Sequence, residues 1–181
     1  MWPFGRRKKR KLEGEEAERQ ERFVAATQAL DEGRTQEGIE GLSQLVDDYP
    51  DYASARLNLG TALYNTEQYE EAAVQFEALR LTTPDDPRIL LNLAAAKSAL
   101  DRLDEAIDLL IRILEMDPEY RDVHYNLAIA YWRKGRLPEA MAELEMELAL
   151  HPNHQAAKQA METLKAEAGI SDEEIDMPST N

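Results

Sequence analysis

Apolar residues recur along this chain at helical spacing, in short runs that come in pairs. The clearest pair lies between Ala53 and Asp86. Its first run carries Leu59, Gly60 and Leu63, and its second carries Ala72, Phe76 and Leu79. Stripes of this period mark amphipathic helices with one face turned to a core. The spacing predicts helices over Ala53 to Asn65 and Gln68 to Thr82, closed by Pro84. Gly60 is small enough to let the second helix approach closely, opposite Ala72, and Phe76 fills the space toward the next unit.

The pair returns at a fixed interval. Pro50, Pro84, Pro118 and Pro152 each lie 34 residues from the next. Asn58-Leu59-Gly60 comes back as Asn92-Leu93-Ala94 and Asn126-Leu127-Ala128, and Glu71-Ala72 as Glu105-Ala106 and Glu139-Ala140. Leu110 and Leu144 stand in the place of Phe76. A constant period of this length means one supersecondary unit stacked on itself.

The same pattern extends to both sides. Phe23, Ala26 and Leu30 form a stripe, Gly33 marks a turn, and a second helix is expected from Thr35, as N-cap, to Asp48. Gly38 and Gly41 weaken that helix by about 1 kcal/mol each relative to alanine, and Gly38 suits a close backbone approach. Asp86-Pro87 starts one helix and Pro138 opens another. Ala157, Met161, Leu164 and Ala168 give a final stripe, with Gly169 as its C-cap.

These phased residues resemble the tetratricopeptide repeat family, whose unit is a helix–turn–helix of this length. The resemblance implies an all-α, right-handed α–α superhelix of antiparallel helix pairs. It places repeats at 19–52, 53–86, 87–120 and 121–154, with a capping helix at 155–168, so that the array fills 13–169. The chain departs from the family pattern late in each second helix, where Leu45, Leu79, Ile113 and Glu147 replace a small residue.

Charge changes the picture at the ends. The chain has 36 acidic and 21 basic residues, a formal net charge of −15. Arg6, Arg7, Lys8, Lys9, Arg10 and Lys11 are contiguous, which leaves 15 basic against 36 acidic residues elsewhere. The body should repel nucleic acid and anionic lipid, and the tip should attract both. Residues 1–12 are expected to be a disordered basic tip and 170–181 a disordered acidic tail. The tip has three functional readings: an electrostatic tether to an anionic membrane surface, a phosphate contact on nucleic acid, or a nuclear address. A solvated tail is the fourth. No apolar run has membrane-spanning length, and no apolar segment follows the basic start as a secretory signal would require. The expected location is cytoplasmic, at the inner membrane surface if the tip binds lipid.

Little catalytic chemistry is on offer. There is no cysteine, which excludes disulfides, thiolate metal sites and cysteine nucleophiles. No glycine-rich phosphate loop occurs. His124, His151 and His154 are the only histidines. His151 and His154 flank Pro152 and could share an ion, but the pattern fixes no third ligand, so no metal, cofactor or catalytic residue is assigned. His124 reads as a packed structural side chain. The recurring acidic pairs, such as Glu70-Glu71 and Asp104-Glu105, read as solvated faces and helix-end charges.

The resemblance implies that the first helix of each repeat lines a concave, partner-binding side. Carried over by position, the candidates are Phe23, Leu57, Thr61, Tyr64, Arg88, Leu91, Tyr125, Ile129, Trp132 and Arg133. Tyr, Trp and Arg dominate binding hot spots. Tyr125 and Trp132 have the alternative of packing against a neighbouring or C-terminal helix. The two-carboxylate clamp by which some family members hold chaperone C-termini is incomplete: Asn58, Asn92 and Arg88 fit, whereas Phe23, Leu57 and Asp122 occupy its other basic places. The expected function is a non-enzymatic scaffold or adaptor that takes a partner peptide or helix in its groove. The alternatives are a self-associating assembly protein, and a nucleic-acid-associated or nuclear adaptor acting through the tip.

Overall fold

In the computed structural model of the chain, residues 4–169 are described, with side chains from Gly14 onward. The acidic tail 170–181 and the side chains of Arg6 to Lys11 lie outside the described residues. Among the described residues the fold is all-α, with nine helices and no strand. They are α1 (Phe4–Asp31), α2 (Thr35–Asp48), α3 (Ala53–Asn65), α4 (Tyr69–Thr82), α5 (Pro87–Ala99), α6 (Leu103–Met116), α7 (Val123–Arg133), α8 (Leu137–Leu150) and α9 (Gln155–Ala168).

The turn inside each repeat is the same device used four times. Gly33, Glu67, Asp101 and Gly135 all adopt left-handed backbone, with φ of 79°, 62°, 62° and 72°. The next residue's N–H reaches back five positions: Arg34 to Ala29, Gln68 to Leu63, Arg102 to Lys97 and Arg136 to Tyr131. The left-handed residue itself donates to the carbonyl three positions back, as in Gly33 to Leu30 and Gly135 to Trp132. This pair of bonds is the Schellman ending, which satisfies carbonyls the helix leaves open. Arg34, Gln68, Arg102 and Arg136 then serve directly as N-caps of the second helices, without a side-chain cap bond. Thr35 is therefore not the N-cap of α2 but its first residue, because the Schellman turn leaves no spare position.

Two compact units divide the chain, residues 1–92 and 93–181, with the boundary inside α5. In the first, α1 packs on α2, α2 on α3, and α3 on α4. Leu42, Leu45, Leu59, Phe76, Leu79 and Leu90 are buried there. Gly60 faces the Phe76 ring rather than Ala72: a Cβ on Gly60 would stand 2.6 Å from Cε1 of Phe76. Gly38 makes the expected close approach, since its Cβ would meet Leu30 Cγ at 2.6 Å and the Ala26 carbonyl oxygen at 2.9 Å.

In the second unit α6 packs on α7, α7 on α8 and α8 on α9. Leu93, Leu110, Ile113, Val123, Leu127, Leu144 and Leu164 are buried. The capping helix contributes Ala157, Ala160, Met161 and Leu164 to one cluster with Ala128, Ala140 and Leu144. Ala168 is exposed and does not extend that stripe.

The N-terminus differs from expectation. Helix α1 starts at Phe4, so residues 4–12 are helical rather than an irregular tip. Arginine, lysine and leucine are good helix formers. Once the later turns of α1 are fixed by packing on α2, adding turns costs no new nucleation, and this outweighs the repulsion within the basic run.

Candidate functional site

The first-repeat and second-repeat candidates lie in the first unit. Phe23 is half-buried on α1, its ring 5.4 Å from that of Tyr52. Leu57 and Leu91 are partly exposed on α3 and α5, and Thr61 is exposed. The Thr61 hydroxyl donates to the Leu57 carbonyl at 3.0 Å, which leaves its oxygen able to accept a further hydrogen bond. Thr61 also lines a cleft of about 350 Å³ with Leu30, Asp31, Asn58, Asn65 and Thr66. The cleft arises where the end of α1 and the start of α2 meet the exposed face of α3. Its lining is rich in hydroxyl and amide groups, which suit the backbone of an extended peptide.

Tyr64, one turn from Thr61, stands edge-on to Tyr69 at 5.3 Å. Burial pushes its hydroxyl pKa up, with the Tyr69 hydroxyl adding to the effect. Arg88 is engaged at the start of α5. Its Nε and Nη2 donate to Oδ1 and Oδ2 of Asp86 at 3.1 and 2.7 Å, and its backbone N–H donates to Oδ1 at 3.0 Å. The guanidinium holds the Asp86 carboxyl below its ordinary range. Much of the Arg88 side chain still faces solvent.

The fourth-repeat candidates lie in the second unit and carry internal contacts. Tyr125, Ile129 and Trp132 pack against the cluster that includes Ala157, Met161 and Leu164. Trp132 Nε1–H donates to Glu167 of α9 at 2.7 Å. Packing on the C-terminal helix, the alternative for Trp132, is thus the arrangement found. The Tyr125 ring meets the His154 ring edge-on, 4.9 Å between centroids. Arg133 donates to the Ser98 carbonyl and hydroxyl and to Asp101 Oδ1, the last at 3.0 Å. It ties the fourth repeat to the turn of the third.

The histidines separate into two kinds. His124 is buried, with Nδ1 2.7 Å from Glu143 Oε2 and Nε2 3.3 Å from the Pro118 carbonyl oxygen. That is a satisfied structural side chain. His154 lies between two carboxylates: Nε2 is 3.4 Å from Asp122 Oδ1 and Nδ1 is 3.7 Å from Glu147 Oε1. Glu147 is only 1% exposed. The sequence reading missed this grouping. Its signal was present in the phased column Leu45, Leu79, Ile113, Glu147, where one member is charged.

Comparison with known proteins agrees with the fold. A family model described as tetratricopeptide repeat matches residues 29–100 and 98–164. The peroxisomal targeting signal receptor of Candida albicans is 27% identical over 123 residues, 62% of this chain and 21% of the receptor. The TPR repeat-containing thioredoxin TTL4 of Arabidopsis thaliana is 32% identical over 85 residues, 47% of this chain and 12% of that protein. The chain therefore spans about a fifth or less of these relatives. Among solved structures, MamA from Desulfovibrio magneticus RS-1 superposes with a TM-score of 0.70 at 20% identity, covering 76% of this chain and 77% of that one. TTC0263, a thermophilic TPR protein of Thermus thermophilus, gives 0.68 at 20% identity, covering 83% of each. Phased helix pairs, four identical turns and a family match across most of the array make this chain a member of the tetratricopeptide repeat family.

Proposed function

We propose that the protein is a non-enzymatic scaffold that binds an extended peptide segment of a partner protein along the exposed faces of its first helices. The observation that carries this reading is the polar cleft on α3, where Thr61 sits with Asp31, Asn58 and Asn65. Leu57, Tyr64, Leu91 and Phe23 offer partly exposed apolar surface in the same unit, and Arg88 has a largely solvent-facing side chain there. In the second unit Tyr125, Ile129, Trp132 and Arg133 expose only what their internal contacts leave. The main anchoring is therefore assigned to the first unit. Relatives support the class of activity: one is named as a receptor for a targeting signal.

The test is a displayed peptide library panned on the full chain and on Thr61→Arg. An arginine at 61 fills the cleft without touching the core. The reading expects a common peptide motif that the variant loses. Equal enrichment by both proteins counts against it.

The basic stretch Arg6 to Lys11 is assigned, within the same proposal, an electrostatic tether to the cytoplasmic side of an anionic membrane. Each charge near such a surface contributes about 1 kcal/mol. Vesicle flotation with and without residues 1–11 should show salt-sensitive binding by the longer form alone. No helix among the described residues is long and apolar enough to cross a membrane.

A further inference from the structure

Glu147 occupies a place where the other three repeats bury Leu45, Leu79 and Ile113. A carboxylate there is costly unless positive charge compensates it. Its Oε2 accepts the Tyr125 backbone N–H at 3.3 Å. Its Oε1 is shut off from solvent and makes no hydrogen bond, and neither does Nδ1 of His154. These two atoms are 3.7 Å apart. That is too long for a hydrogen bond. It is close to the separation of two ligands across a shared ion, since bond lengths of about 2.1 Å at tetrahedral or wider angles put ligand atoms roughly 3.4–3.6 Å apart.

A third ligand is at hand. Asp122, Glu147 and His154 can each offer one atom with all three within 4.8 Å of one another; Asp122 Oδ1 faces Nε2 of the ring, so its part-exposed carboxylate must turn toward the Nδ1 side to share the ion. They come from three places: the residue before α7, the last turns of α8, and the N-cap of α9. The Tyr125 ring, edge-on to His154, fixes the imidazole plane. On its other side His154 borders a cleft of about 720 Å³ with Arg121, His151 and Asn153. His151 Nε2 is also buried without a hydrogen bond.

We propose that Asp122, Glu147 and His154 form a binding site for a divalent transition-metal ion of the zinc type. One imidazole nitrogen with two carboxylate oxygens is a donor set that Zn²⁺ accepts, with water completing the shell. Mg²⁺ and Ca²⁺ favour all-oxygen shells and bind less well here. The ion compensates the buried Glu147 charge and staples α7, α8 and α9 together.

The experiment is calorimetric titration of the full chain, stripped by chelator, with ZnCl₂ in excess Mg²⁺. The magnesium occupies the acidic surface, which would otherwise take up zinc unspecifically. The expected result is one saturable site per chain. Glu147→Gln and His154→Gln, each with unchanged helicity, should weaken it by at least about tenfold, while the exposed Glu145→Gln leaves it intact. Zinc should raise the melting temperature of the parent chain and not of those two variants. Should Glu147→Gln fail to fold, His154→Gln carries the test alone. Absence of saturable binding, or binding that survives both substitutions, overturns the proposal.

Discussion

Gly60→Ala adds one methyl group at the most crowded point of the second repeat. The new Cβ would lie 2.6, 2.9 and 3.0 Å from Cε1, Cζ and Cδ1 of Phe76. Ordinary carbon contacts are about 3.5–4.0 Å. The ring is 1% exposed and cannot swing outward. Overpacking of this kind costs about 1–3 kcal/mol. Replacing a mid-helix glycine by alanine returns about 1 kcal/mol. The net expectation is a loss of about 1 kcal/mol. The other repeats show how the clash is avoided. At the two equivalent positions they carry Ala26 and Leu42, Ala94 and Leu110, and Ala128 and Leu144, whereas this one carries glycine and phenylalanine. Phe76→Leu alone should cost about 1–2 kcal/mol by leaving space unfilled. The double variant Gly60→Ala/Phe76→Leu converts the repeat to the pairing of its neighbours. It should return to within about 1 kcal/mol of the parent, a coupling of about 1–2 kcal/mol. Urea unfolding followed by circular dichroism on all four proteins measures this cycle. Additivity within about 0.5 kcal/mol, or a Gly60→Ala protein more stable than the parent, refutes this picture of repeat packing.

Three further outcomes follow from single contacts. Glu67 holds a left-handed backbone conformation that Gly33 and Gly135 adopt without a side chain, so Glu67→Gly should raise stability by about 0.5–1 kcal/mol in thermal unfolding. Trp132→Ala removes both the packing on α9 and the bond to Glu167; it should cost about 2 kcal/mol and speed amide hydrogen exchange in α9 more than in α1 or α2. Asp86 has its pKa depressed chiefly by its hydrogen bonds to the Arg88 side chain. A depressed folded-state pKa contributes stability that is fully present above the ordinary value of 3.8 and is lost as pH falls through the lower, folded value. Asp86→Asn keeps an N-capping side chain, so it should flatten the acid limb of the stability profile below about pH 4 while leaving the helix intact; an unchanged slope contradicts this.

Much of the fold is legible in the sequence because the determinants recur. A stripe that returns every 34 residues with a proline at each junction leaves one consistent stacking of helices. Where the sequence reading went astray, the determinant was tertiary. Thr35 has the chemistry of an N-cap, but the Schellman turn hands that position to Arg34. Residues 4–12 carry a repulsive charge run, yet they continue a helix that is already anchored further along. The candidate groove was legible only as a face. Which of its aromatics are committed elsewhere depended on where α9 docks, and a repeat pattern does not encode that. Glu147 shows the converse: its charge stands out in a phased apolar column, but its neighbours Asp122 and His154 are distant in sequence and adjacent only in space, so the grouping went unread.

Whether a partner protein lies along the α3 cleft can be read directly in the cell. A photo-crosslinking amino acid is placed at Thr61 and, separately, at the exposed Val74 of α4. The adducts formed in the native cell are then identified. Binding along the cleft predicts a discrete protein adduct from position 61 that is absent from position 74, attached within a short contiguous segment of the partner. Adducts from position 74 alone, or the same adducts from both, would place recognition elsewhere on the chain.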